Sequence, residues 1–233
     1  MVKYEINRID LQGVNSYLIK TEKGNILVDS GGPMFLDKVY NSRREQIVNK
    51  LTELSCTKEN LLLIVLTHGD CDHSYNAKYL SDLYEVPIAL HKEDVYLVNQ
   101  LTSEAILLNC KYKSIMYRII MRLMKPIMKK VSNKIASEFE GFLPRVSIED
   151  GMRLDEYGLE GTIVHIPGHT NGSIAIITDQ GDCIVGDTYA NLKKPGPAMN
   201  ALDFNQLTDS LRKLSTYTVK KMYPGHGAPY RIE

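Results

Sequence analysis

The chain makes little use of the covalent and structural-metal devices that staple small domains together. It has four cysteines in 233 residues, Cys56, Cys71, Cys110 and Cys183. They are widely spread and none forms a C-x-x-C pair, which argues against a disulfide framework and a structural zinc knuckle. Reduced thiols are the simplest expectation. Neither sign of charge is in excess, since Lys plus Arg and Asp plus Glu both stand at 28. Without a global field, no nucleic-acid partner is expected. No uncharged apolar run reaches the roughly 18 residues that a spanning helix needs. Residues 1–13 lack an apolar core of signal-peptide type. The expectation from these absences is a cytoplasmic protein. Low-complexity tracts and short-period repeats are also missing.

What is present is ordinary globular material, 43% hydrophobic and 24% charged. One large domain over residues 1–233 is expected, long enough to bury a sizeable core. Residues 3–9, 16–21 and 25–29 read as short strands, with Glu22-Lys23-Gly24 as a hairpin turn. Residues 41–54 carry a helical pattern. Leu61-Leu62-Leu63-Ile64-Val65-Leu66 is a continuous apolar run that suits a strand covered on both faces. A helix over 76–84 and a strand over 87–90 follow. The second half is again strand-rich, at 162–166, 173–178, 182–185 and 221–223, with a helix over 204–217. Each half runs from strands to helices, which predicts a sandwich of two mixed sheets flanked by helices.

The six histidines carry the chemistry. His68, His73, His169 and His226 each follow an apolar strand and lie near Gly or Asp. Asp72 and Asp187 sit in the same kind of place. Strand-end loops are where a rigid scaffold aims side chains at one point. Imidazole with carboxylate suits zinc, iron or manganese. The short stretch holding His68, Asp70, Asp72 and His73 can face two neighbouring ions, with Gly69 expected to supply an unusual backbone angle. Two ions about 3.5–4 Å apart can hold a hydroxide between them. An isolated carboxylate such as Asp187 suits a bridge. The other histidines read differently. His165 lies within a strand and is expected to be structural. His91 opens a helical turn, where capping is expected. Cys71 should point away from the ions, and Tyr189 is either a substrate contact or a surface tyrosine.

The ordered set Thr67-His68-x-x-x-Asp72-His73, Gly168-His169-Thr170, Gly186-Asp187-Thr188 and Gly225-His226-Gly227 resembles the metallo-β-lactamase superfamily. Asp29-Ser30-Gly31 resembles that family's early strand-end motif, so the likeness covers nearly the whole chain. It implies a four-layer αβ/βα sandwich with metals at one edge between the sheets. It also implies His68 and His169 on a first ion, Asp72, His73 and His226 on a second, and Asp187 between them. Asp29 would orient a ligand or the loop. The implied cofactors are two divalent ions, zinc first, with iron or manganese as alternatives. The implied activity is hydrolysis of an ester, thioester, lactone, phosphoester or β-lactam of a small molecule, with Asp72 and His226 as catalytic residues.

One departure stands out. The family usually has a second His two residues after the first, and here that position is Asp70. A first site of His68, Asp70 and His169 is harder and more anionic than a three-His site, which raises iron or manganese. Two alternatives follow: a diiron-type oxidoreductase related to flavo-diiron proteins, which have Glu there, and a non-catalytic metal-binding domain.

A helical insert is expected at about residues 100–140. Within 111–134, Tyr112, Ile115, Met116, Ile119, Ile120, Leu123, Met124, Ile127, Met128 and Val131 step by three and one, as a helix stripe does. Eight lysines and arginines fill this stretch, with no acid among them. Pro126 should kink or divide the helix. The leading expectation is a cap whose stripe packs on its own domain. A lid over the metals, contact with an anionic lipid or membrane surface, and a homodimer contact remain open.

Overall fold

Alternation along the strands builds two faces at once. The computed structural model describes residues 4–35, 37, 40–108 and 111–232. Lys3 and Cys110 lie outside the described residues. In the first half, β1 (Tyr4–Asp10), β2 (Asn15–Thr21), β3 (Asn25–Val28), β4 (Leu61–Val65), β5 (Ile88–His91) and β6 (Val146–Ile148) pair in that order into one mixed sheet. The first two pairings are antiparallel and the last three parallel. Period-2 alternation sends Leu18, Leu27 and Ile64 to one face, against Ile47 and Leu51 of α1 (Arg44–Glu53) and Leu80 of α3 (Ala77–Tyr84). It sends Tyr17, Ile19, Ile26, Leu63 and Val65 to the other. The apolar run at 61–66 is therefore covered on both faces, as expected.

The second sheet runs β12 (Tyr230–Arg231), β11 (Lys221–Gly227), β9 (Asp182–Asn191), β8 (Ile174–Thr178) and β7 (Gly161–His165), with β10 (Pro195–Pro197) on β9. Ile163, Ile174, Ile176, Ile184 and Tyr223 face the first sheet and complete the middle layer. Val164, Ala175, Ile177 and Val185 face outward and pack with Leu214 of α7 (Phe204–Leu214). The result is helix, sheet, sheet, helix, the sandwich that the sequence pattern predicts.

Three expectations need correction. β9 and β11 do not stop at residues 185 and 223 but continue through Asp187 and His226. The cause is their parallel pairing, which holds past an irregularity. Pro224 pairs with Gly186 and His226 with Ala190, so β9 spends four residues where β11 spends two. The extra length pushes Asp187 out of the ladder. Second, Pro126 does not divide its helix, since α6 runs unbroken over Ile115–Glu138. Third, most of the stripe expected to pack inward is exposed. Of its residues, only Met128 is fully buried. With α2 (Cys71–Ser74), α4 (Val95–Asn99) and α5 (Ser103–Leu108) placed, the stretch from α4 to α6 forms the crossover from β5 to the adjacent parallel strand β6.

Candidate metal centre

The ends of β3, β4, β9 and β11 meet at one edge of the sandwich. β4 delivers Thr67 and His68, and the chain then makes the single helical turn α2, which carries Asp72 and His73 with Asp70 just before it. Gly69 does not supply a left-handed angle, contrary to expectation. It is needed for close approach: a Cβ there would meet Leu97 Cβ at 2.8 Å. Gly225 has a similar role, because a Cβ would come within 2.7 Å of His73 Cε1.

Each of the four strand-end histidines has its Nδ1 tied to an oxygen and its Nε2 turned inward. His73 Nδ1 lies 2.8 Å from Asp29 Oδ2. His68 Nδ1 lies 3.0 Å from Thr67 Oγ1, whose hydroxyl donates to Asp29 Oδ2 at 2.8 Å. His169 Nδ1 is 3.2 Å from the Asn200 carbonyl, and His226 Nδ1 is 2.6 Å from that of Gly13. An acceptor at Nδ1 keeps the proton there and leaves the Nε2 lone pair for another partner. Yet Nε2 of His68, His73 and His169 is buried without a hydrogen-bond partner, and so is Asp187 Oδ1. Four orphaned polar atoms around one point are costly unless something else binds there.

Their neighbours fall into two clusters, Asp72 with His73, Asp187 and His226, and His68 with Asp70 and His169. Within each, the candidate ligand atoms lie within 4.8 Å of one another. Asp187 reaches both. Its Oδ1 is 3.2 Å from His73 Nε2, and its Oδ2 is 3.0 Å from His226 Nε2 and 3.6 Å from His169 Nε2. Asp70 Oδ2 is 3.2 Å from His169 Nε2 and 3.8 Å from His68 Nε2, so the departing carboxylate faces the cluster. His68, His73 and His169 are at most 1% exposed, whereas Asp70, Asp72 and His226 are 15–22% exposed. The open side of the centre is thus the side of those three residues.

The electrostatics are those of a pocket that calls for cations. Burial lowers His68, helped by neighbouring His73 and His169, to about 4, so its imidazole is neutral. Burial also opposes charge on the other three, but the carboxylates prevail. Asp70 and Asp187 raise His169 to about 9, Asp187 and Asp72 raise His226 to about 10, and His73 rises well above its usual value beside Asp187 and Asp29. Burial would raise Asp72 and Asp187, yet facing imidazoles hold Asp72 down to about 2 and Asp187 well below the carboxylate range. Three inward carboxylates hold protons on His73, His169 and His226 in the absence of metal, and divalent cations that displace those protons would find a carboxylate and imidazole donor set that fits them.

Sequence reasoning missed Asp94, which closes the short helical turn that follows His91. It is fully buried. Its Oδ2 accepts from Gly69 N at 2.8 Å and Thr170 Oγ1 at 2.6 Å, and its Oδ1 from Gly172 N at 2.7 Å. One carboxylate therefore ties the loop of His68 and Asp70 to the loop of His169. Burial pushes it up to about 6 against the pull of those donors. The small residues Gly69 and Gly172 are the only hint in the sequence: a Cβ at Gly172 would sit 2.6 Å from Asp94 Cγ. The readings of His91, His165 and Cys71 hold, while Tyr189 is half-buried against the outer core rather than at the surface. His91 accepts weakly from Glu93 N at 3.4 Å as a cap, and stacks on His165 with ring centroids 4.0 Å apart. Cys71 packs with Tyr75, Leu101 and Ile135, and Tyr189 packs on the outer core near Leu214.

With that geometry in hand, comparison with known proteins is decisive about kinship. The profile of the Metallo-beta-lactamase superfamily matches residues 9–226. The chain belongs to the metallo-beta-lactamase superfamily. Among curated relatives, a "Beta-lactamase-like protein 2 homolog" of Caenorhabditis elegans is 24% identical over 93% of this chain, which spans 57% of that protein. A "Probable metallo-hydrolase" of Methanocaldococcus jannaschii is 27% identical over 91% of this chain and 87% of its own length. Among solved structures, a protein in a di-iron-bound form is 24% identical, with TM-score 0.64 over 95% of this chain and 90% of that one. The metallo-beta-lactamase GOB-18 of Elizabethkingia meningoseptica is 16% identical, with TM-score 0.66 over 97% and 75%. At these identities the structural likeness establishes the fold alone. Among the described residues, no helix is long and apolar enough to cross a membrane.

Proposed function

We propose that the chain is a hydrolase working through two divalent ions, one held by His68, Asp70 and His169, the other by Asp72, His73 and His226, with Asp187 between. The observation that carries this reading is the common arrangement of the four imidazoles, each with Nδ1 anchored and Nε2 turned inward among three carboxylates. When bound, two such ions supply a hydroxide at neutral pH and polarise a carbonyl or phosphoryl oxygen.

The protein's own residues do the rest. Asp29 fixes the orientation of His73 directly and of His68 through Thr67. Asp72, on the open side, accepts a hydrogen bond from the attacking water at Oδ2 and orients it. His226, 3.4 Å from that oxygen, borders the same side. A small ester, thioester, lactone or phosphoester enters there. Purified protein should carry two equivalents of zinc, manganese or iron, hydrolyse at least one class on a broad ester panel, and lose turnover on chelation. Metal-free protein that is fully active, or metal-loaded protein inert across the panel, would overturn the reading. A second reading, a diiron oxidoreductase, rests on the inward Asp70, and a fold neighbour has been solved with two irons. Two irons that consume oxygen without any hydrolysis would select it.

A further inference from the structure

α6 has three faces rather than two. Met121, Met124, Met128, Val131 and Ile135 recur at three and four residues and turn toward the protein, half-buried or buried. Arg118, Arg122, Lys125 and Lys129 recur at the same spacing on a second, exposed face. Among the described residues no ion pair engages any of these four. On the third face Ile115, Ile119, Leu123 and Ile127 recur every four residues, with Met116 and Ile120 beside them. Leu123 is 77% exposed, Ile115 69% and Ile127 61%. A row of large aliphatic side chains in water beside an unpaired cationic row is unusual for a surface helix, whose outer side is normally polar.

We propose that this face of α6 lies on an anionic phospholipid bilayer, with the aliphatic row sunk among the headgroups and the cationic row against their phosphates. Charge decides between the available occupants. A second copy of the chain would cover the aliphatic row but bring two unpaired cationic rows together, and like charges at close range repel. An anionic surface satisfies both rows, the combination that interfacial helices use. A further feature fits the same partner. Lys111, Arg118, Arg122 and Lys125 line a depression of about 500 Å3 together with Met121 and Phe204, which suits a phosphate headgroup with apolar chains attached.

The test is flotation of the full chain with vesicles of phosphatidylcholine alone and of phosphatidylcholine mixed with phosphatidylglycerol. The protein should float with the mixed vesicles only, and less so at high salt. Each cation near such a surface contributes roughly a factor of five to partitioning. Arg118→Gln with Arg122→Gln should therefore reduce partitioning by roughly 25-fold. Leu123→Glu should reduce it by at least about tenfold, since a buried leucine is lost. Both sites are exposed, so folding is retained, and unchanged circular dichroism verifies it. The chain has no tryptophan, so Leu123→Trp reports directly: its emission should shift to the blue on adding mixed vesicles. Wild type that fails to float, or a Trp emission unmoved by lipid, overturns the proposal. So does a dimer in sedimentation equilibrium that Leu123→Glu dissociates, with no lipid binding.

Discussion

Asp94 is the clearest place to separate positioning from ligation. It touches none of the ligand atoms, yet it holds the backbone on either side of the first cluster. Asp94→Asn is the informative change. The amide has one oxygen, so it can serve either Gly172 N or Gly69 N, and its NH2 group must face the other N–H. One buried donor is then left without an acceptor, which costs about 1–3 kcal/mol. Asp94→Ala strands both backbone donors, while Thr170 Oγ1 keeps Ser173 Oγ at 2.8 Å. It should cost about 2–5 kcal/mol. At this chain length each kcal/mol lowers the melting temperature by about 2–4 °C. The metal readout is more specific. Gly69 lies between His68 and Asp70, and Thr170 and Gly172 follow His169, so Asp94→Asn should weaken the first site by about 10–100-fold. The second site is set by Asp29, Gly13 and the β9–β11 pairing and should change little. The assay is stepwise manganese or zinc titration of metal-free wild type and variant, with melting followed in parallel. Equal weakening of both sites, or a normal first site in a variant that melts lower, would refute the reasoning.

Four further outcomes follow from the same geometry. His73→Ala or His226→Ala should strip the second ion and abolish hydrolysis, which metal analysis and turnover check together; full metal content with normal turnover in both would remove the assignment. Asp187→Ala should lower occupancy of both ions, because its two oxygens face imidazoles of both clusters; loss of one ion with full retention of the other makes Asp187 a terminal ligand. Asp70→His should shift competition between zinc and manganese toward zinc, since an imidazole replaces a hard anionic donor; unchanged selectivity takes Asp70 off the ligand set. Arg43→Ala should destabilise the fold by about 3–5 kcal/mol in chemical denaturation, because the buried guanidinium pairs with Asp37 at 2.7 Å and donates to the Leu11 carbonyl; a loss under about 1 kcal/mol would show that water replaces these bonds.

The layers were legible because they rest on local alternation. Leu63, Val65 and Leu66 announce a strand covered on both faces, and the strand-end histidines announce a converging edge. What alternation cannot show is pairing between distant strands. Asp187 looked like a loop residue because the apolar pattern of β9 ends at Val185. Its position inside a long strand depends on Pro224 and His226 pairing with Gly186 and Ala190 across a register change. Asp94 was hidden for a related reason. An acid after a strand and before a helix is ordinary first-turn chemistry, and its three donors come from segments about 25 and 78 residues away.

α6 shows the limit of periodicity in another way. Spacing by three and four reports that apolar residues share a helix face, but not whether anything covers that face. Two apolar rows are present here. The row of Met121, Met128 and Ile135 is narrow, and its partner is the protein itself. The row of Ile115, Ile119, Leu123 and Ile127 is the bulkier of the two in branched side chains, and it is the one left in water. Propensity and moment treat the rows alike, so a cap packed inward was the natural reading. Only the placement of the crossover between β5 and β6 fixes which row meets the protein, where Val131 and Ile135 pack with Cys71, Tyr75, Leu101 and Ile106, and the charge beside the other row is what the proposed lipid contact rests on.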